Sequence, residues 1–229
     1  MDKLFVIIAR INHILLLLAL IGACILMVLA VWTDNRWERR GAIEVVGEET
    51  ASSSPIYLHL GQIENIAGAD TQMMTLQAHE ESGELYSGSG YSSEIRNVLF
   101  LSGTEKHARW LFPKQNNVIL VERQLSESSD NTKENPTRAL YFEYVAEDTN
   151  NDGMLSDQDL STVALAKPDG TGFTTVLSGV NNVLSSEMIN DTQFSIVYQM
   201  GKIVRHARFS VTTLTKEIDQ EIISVPDKL

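Results

Sequence analysis

The chain contains one cysteine, Cys24, and it lies within a long apolar run, so no internal disulfide staples the fold and the rest of the chain has no thiol chemistry. Positive charge is scarce, with 18 Lys and Arg against 30 Asp and Glu, a formal charge of −12. Of the 18 and 30, only Lys3, Arg10 and Asp2 fall in residues 1–33, leaving 16 basic and 29 acidic residues, or −13, on the remainder. So acidic a body excludes nucleic acid as a partner and is repelled by an anionic lipid surface.

Catalytic signatures are missing as well. His13, His59, His79, His107 and His206 form no pair at helical metal-binding spacing and no H-E-x-x-H arrangement, which argues against zinc. Gly88-Ser89-Gly90 lacks both the G-x-S-x-G elbow and a P-loop lysine and reads as a turn. His79, Glu80, Glu81 and Glu84 read as solvated charges, and Arg109-Trp110 and the stretch 141–144 as alternating core and surface positions of strands. No catalytic residue is assigned, and the chain is expected not to be an enzyme.

What is present begins with residues 14–32, ILLLLALIGACILMVLAVW, which carry no charge. A helix of this length crosses roughly 30 Å of hydrocarbon with its backbone groups satisfied internally. No A-x-A site follows it, so the run is read as an uncleaved transmembrane helix that places residues 14–32 in the lipid bilayer. Arg10 and His13 flank one end, and Trp32 and Trp37 mark the other interface. Lys3 and Arg10 on one side nearly balance Arg36, Arg39 and Arg40 on the other, so flanking charge does not fix the orientation. A long C-terminal domain translocates largely regardless of that balance, and a calcium loop suits the outside. The expected location is a bacterial inner membrane, single-pass, with the C-terminal domain periplasmic.

The expected organisation is a flank and membrane helix at 1–33, a membrane-proximal segment and linker at 34–55, and an extracytoplasmic β domain at 56–229. Strands are predicted at 56–60, 72–78, 96–101, 108–112, 118–124, 139–146, 162–166, 173–177, 194–200 and 203–213, with 216–223 either a helical turn or a strand. Ser102-Gly103, Pro168-Asp169-Gly170 and Met200-Gly201 supply turns, and 126–137 is a polar loop. The fold class is therefore all-β, antiparallel, either propeller-like or a sandwich. With an offset of 65 residues, VLFLSGTEKHARWLFPKQNNVI (98–119) aligns with VALAKPDGTGFTTVLSGVNNVL (163–184), giving strand, turn, strand, Asn-Asn, strand twice. This rhythm, with AKPDGTGFTTVL at 166–177, resembles blades of TolB-type β-propellers.

One motif carries chemistry. Residues 148–159, DTNNDGMLSDQD, fit D-x-[DN]-x-[DN]-G with a carboxylate at the twelfth position. Asp148, Asn150 and Asp152 offer side-chain oxygens to a hard cation, Gly153 permits the sharp turn, Met154 offers its carbonyl, and Asp159 returns at the end. The segment resembles EF-hand loops, more closely the dockerin-type variant with Asp at position twelve, and Ser156 matches the ninth position, which ligates through a water. The resemblance implies Ca²⁺, here a structural ion offsetting five acidic residues from Glu147 to Asp159. Strand-like flanks predict no helix pair that could open as a switch. The expected function is an accessory or scaffold subunit docked on an integral membrane protein complex, or self-associated as a homo-oligomer. The alternative is an anchored, calcium-dependent sensor or ligand-binding module.

Overall fold

The computed structural model describes residues 43–44, 56–80, 94–127 and 135–226. The apolar run 14–32, the linker 47–55, Gly88-Ser89-Gly90 and residues 128–134 of the polar loop lie outside the described residues. The chain divides into two compact units, Met1–Arg40 and Gly41–Leu229, and everything described belongs to the second. Among the described residues every regular element is a strand, and no helix is long and apolar enough to cross a membrane.

After a two-residue strand, β1 (Ile43–Glu44), the pairing forms three antiparallel meanders in chain order. In the first, β2 (Ile56–Leu60) and β3 (Glu64–Asn65) share one edge of β4 (Thr71–Glu80), which pairs with β5 (Glu94–Ser102), and β5 with β6 (His107–Trp110). The break between β2 and β3 falls at Gly61, whose amide donates to the Thr75 carbonyl at 2.8 Å. A Cβ there would meet the Thr75 hydroxyl at 2.5 Å, so a larger residue would have to displace that side chain. The second meander runs β7 (Val118–Leu125), β8 (Ala139–Val145), β10 (Ser161–Ala166) and β11 (Thr174–Val180). The third runs β12 (Asn182–Asn190), β13 (Gln193–Met200), β14 (Ile203–Ser210) and β15 (Thr215–Ser224). A further short strand, β9 (Met154–Leu155), sits inside the connection from β8 to β10 and pairs with β1.

The predicted repeat is visible as structure. Segment 98–119 becomes β5, β6 and the start of β7, and 163–184 becomes β10, β11 and the start of β12. Each Asn-Asn pair therefore marks the passage from one meander to the next. Segment 216–223, open between helix and strand in the sequence, is strand β15.

The middle meander is buried on both faces. Tyr141, Val163, Leu165 and Leu177 pack against Phe194, Ile196, Tyr198, Ala207 and Phe209 of the third. Leu140, Phe142, Tyr144, Ala164 and Ala166 pack against Met73, Val98 and Phe100 of the first. Strand alternation sends successive residues of ALYFEYV to opposite sides, so the stretch 141–144 alternates between two cores and not, as expected, between core and surface. Tyr141 meets the Phe194 ring edge-on at 5.5 Å, and Phe112 lies 5.0 Å from Tyr144 and 5.4 Å from Phe173. By contrast, the backbone joins β5 to β7 through one pair, Ile95 with Ile119, leaving side-chain burial as the main contact between the first two units.

One carboxylate sits awkwardly in this seam. Glu122 of β7 lies opposite Phe142, and its Oε2 is buried with no hydrogen-bond partner. Burial, and then the neighbouring Glu64 carboxylate, push its pKa up to about 7. A raised acid pKa means the folded state holds the proton more tightly, so this contribution to stability is complete below the ordinary 4.5 and is lost as pH rises through about 7. Denaturant titrations at several pH values are expected to show the wild type losing up to about 3 kcal/mol relative to Glu122→Gln across that window, from roughly 1.4 kcal/mol per pKa unit. Parallel pH profiles for the two proteins would remove this reading.

Candidate functional site

The acidic loop joins two central strands. β8 ends at Val145, the loop spans 148–159, and β10 begins at Ser161, so strands flank it on both sides and no helix pair is present. Gly153 adopts φ +82°, the left-handed turn its place in the motif requires, and Asn151 adopts φ 59°. Leu155 is buried against Val118 and Val145, while β9 pairs with β1, so the loop is held by a side chain below and a backbone ladder beside it.

Its polar groups first serve its own backbone. Asp148 accepts the amides of Asp152 at 3.2 Å and Gly153 at 2.9 Å, and the Asn150 side-chain oxygen accepts the Asp152 amide at 2.8 Å. Asp152 in turn accepts the Met154 amide at 2.9 Å. Asp159 is 2% exposed and closes the loop. Its Oδ1 accepts from the Thr149 amide at 2.8 Å, the Thr149 hydroxyl at 3.2 Å and the Asn150 amide at 3.2 Å, and its Oδ2 from the Ser156 amide at 3.0 Å. The Ser156 hydroxyl accepts the Gln158 amide. Hydrogen bonds to a carboxylate are the strong kind, so the loop's own acids draw its two ends together.

For a cation the loop offers oxygen alone, which suits a hard ion such as calcium. Asp148, Asn150, Asp152, Met154 and Ser156 follow the expected order along the turn, and Asp159 is turned toward amides. Among the described residues no three His, Cys, Asp or Glu side chains gather closely enough to hold a metal ion. The donors are hard oxygens of the kind calcium takes, and Asp159 serves the loop's closure.

His59, His107 and His206 stay apart. His59 bonds Gln77, His107 pairs with Glu105 on the surface, and His206 Nε2 lies 3.0 Å from the Ser195 hydroxyl. Arg109 packs over Phe100 at 5.2 Å.

Sequence reading missed a cleft of about 910 Å³ formed by turns of all three meanders. Asp70, Arg138, Lys167, Asp169 and Asp191 line it, together with small hydroxyl side chains. Arg138 is committed to Asp191 at 2.7 Å. Asp169 accepts the amide and hydroxyl of Thr171; these bonds and nearby Lys167 and Arg109 outweigh burial and hold its carboxyl below the usual range. Of the three acids, Asp70 alone has neither commitment. The only sequence signal was Pro168-Asp169-Gly170, legible as a turn, because the lining comes from segments far apart in the chain.

No protein-family model matches the chain, and no curated protein matches it. Among solved structures it is similar to the β-propeller domain of the Trilobed protease from Pyrococcus furiosus, at 13% identity and TM-score 0.38, over 73% of this chain and 43% of that one. It is also similar to luciferin-regenerating enzyme, at 9% identity and TM-score 0.35, over 80% of this chain and 64% of that one. The chain thus spans less than two thirds of either structure. One of these structures is named as an enzyme, and the expectation that the chain is not an enzyme is withdrawn, because it rested on missing motifs and these do not exclude a site built from scattered residues. Likeness at this level assigns neither activity nor ligand.

Two substitutions separate the loop's supports. Leu155→Ala is expected to cost about 2–4 kcal/mol, as for a buried leucine leaving a cavity. Asp159→Ala removes the acceptor of four donors, of which the Ser156 amide is buried and the Thr149 and Asn150 groups belong to exposed residues, and is expected to cost roughly 1–3 kcal/mol, mainly for the Ser156 amide left without a partner. Urea unfolding of both variants checks this, and a neutral Asp159→Ala would mean that the loop is closed by something else.

Proposed function

We propose that the chain is a single-pass membrane subunit whose extracytoplasmic β domain docks on a larger integral membrane complex, with Ca²⁺ bracing the loop at 148–159. The observation that carries the docking is the edge strand β2. It ends the sheet path, and Tyr57, Leu58, Leu60 and the nearby Ile63 are each about half exposed, at 54%, 52%, 48% and 56%. Among the described residues no strand pairs with the outer side of β2, and such an apolar edge invites pairing, since solvent-facing edges are normally blunted with charge or proline. The uncharged run 14–32 supports the anchor. In this reading the oxygens of Asp148, Asn150, Asp152, the Met154 carbonyl and Ser156 through a water hold the ion, with Asp159 behind them.

Co-purification from mild detergent is the test. Integral membrane partners are expected to elute with the wild-type chain and to be lost with Leu58→Lys, and a chain that always runs alone as a monomer counts against docking. For the ion, millimolar calcium at a site of about 10⁻⁴ M adds roughly 1.4 kcal/mol, a shift of a few degrees in Tm. The shift is expected to vanish on chelation and in Asp148→Ala with Asp152→Ala. Identical melting with calcium and with chelator sinks the ion.

The cleft of turns favours a second reading, a calcium-dependent ligand-binding module. The same double variant separates the two. Partner binding that persists while the calcium shift disappears makes the ion structural.

A further inference from the structure

A second groove, of about 800 Å³, lies where β11 meets the third meander. Its apolar wall includes Leu160, Val176, Met200 and Ile203, and Leu160 and Met200 stand more than a third exposed. Asn181 pins the groove, its side chain accepting the Gly201 amide and its own amide donating to the Gln199 carbonyl. Beside the wall stand Arg205, Lys216 and Asp219. Asp219 accepts the Arg205 Nε at 2.9 Å, the Arg205 Nη2 at 2.9 Å, the buried Tyr198 hydroxyl at 3.0 Å and the Lys216 Nζ at 2.7 Å. Burial pushes the Asp219 carboxyl up, but the bonds from Lys216, Arg205 and Tyr198 outweigh it and hold it below the usual range. One anion therefore serves two cations, leaving a local charge of +1 in a body whose net charge is strongly negative. Asp219 and Tyr198 do not exhaust the five donors of a guanidinium and the three of an ammonium, so spare donors remain on both.

We propose that this groove binds a monoanionic amphiphile, a fatty carboxylate whose head bridges Arg205 and Lys216 and whose tail lies along Leu160, Val176, Met200 and Ile203. Two charge-assisted bonds supply the head's affinity, and tail burial supplies the rest, at most about fourfold per methylene. The assignment does not depend on the membrane anchor or on calcium. An anion meets repulsion over much of this acidic surface, whereas this groove sets two cations and one acid beside an apolar wall.

The probe is octanoate, added to the full-length chain in amphipol and followed by the ¹⁵N–¹H signals of Arg205 Nε and of the Gly201 and Ile203 amides. Saturable shifts are expected with octanoate, weaker by at least tenfold with butanoate and with neutral octanol. Lys216→Gln should weaken octanoate binding severalfold at an unchanged Tm. Asp219→Asn, which removes the competing carboxylate, should strengthen it, the opposite of what general loosening of the groove would do. Equal shifts with octanol, or unchanged affinity in Lys216→Gln, overturns the proposal, and the octanoate and octanol comparison needs no variant to fold.

Discussion

Double-sided burial of the middle meander is the constraint on which the domain depends. β8 and β10 give alternate side chains to two different cores, so neither outer meander can leave without exposing one of them. Tyr141 and Phe142, adjacent in the chain, face opposite seams. Stability in such an arrangement is close to a sum of unit and neighbour terms, with the middle unit counted in both interfaces. Glu122 sits in one seam as an exception, a carboxylate in a place that hydrophobic packing would fill with carbon.

The same pair of strands fixes the acidic loop. Because β8 and β10 are locked by packing, their connection must cross a set distance, and Asp159 closes it by gathering amides from both ends. Leu155 anchors the far side. The loop's shape thus follows from buried anchors and backbone donors, and any cation joins a turn that its own carboxylates already organise.

Sequence periodicity revealed the strands that bury at least one face, and the exposed β2 and β6 were also read, at 56–60 and 108–112. β5, β7, β8, β10, β13 and β14 carry unbroken or alternating apolar residues, and their predicted bounds lie within a few residues of the observed ones. β12 was legible only at its start, as the strand after Asn181-Asn182 in the repeat, because NVLSSEMIN is an edge strand with six of its nine residues exposed, so no apolar alternation marks its length. β15 was ambiguous for the same reason, since TKEIDQEIIS has eight exposed residues among ten. The loop at 148–159 was legible because its ligand-type residues are contiguous. The cleft and the groove were not, because each is assembled from turns and strand ends that only tertiary pairing brings together. Catalytic absence was not legible at all, since missing motifs say nothing about sites built from scattered residues.

Val211 and Leu214 complete the core between the second and third meanders, close to the C-terminal end of the described chain. During synthesis, Tyr141, Val163 and Leu165 are made long before the side chains that finally seal them. The nascent domain therefore carries a sticky sheet face for the time needed to add some fifty further residues, roughly 3–10 s at ordinary translation speed. Its escape from aggregation rests on how quickly the last hairpin docks, and a ribosome stalled before Val211 would hand that face to chaperones or proteases.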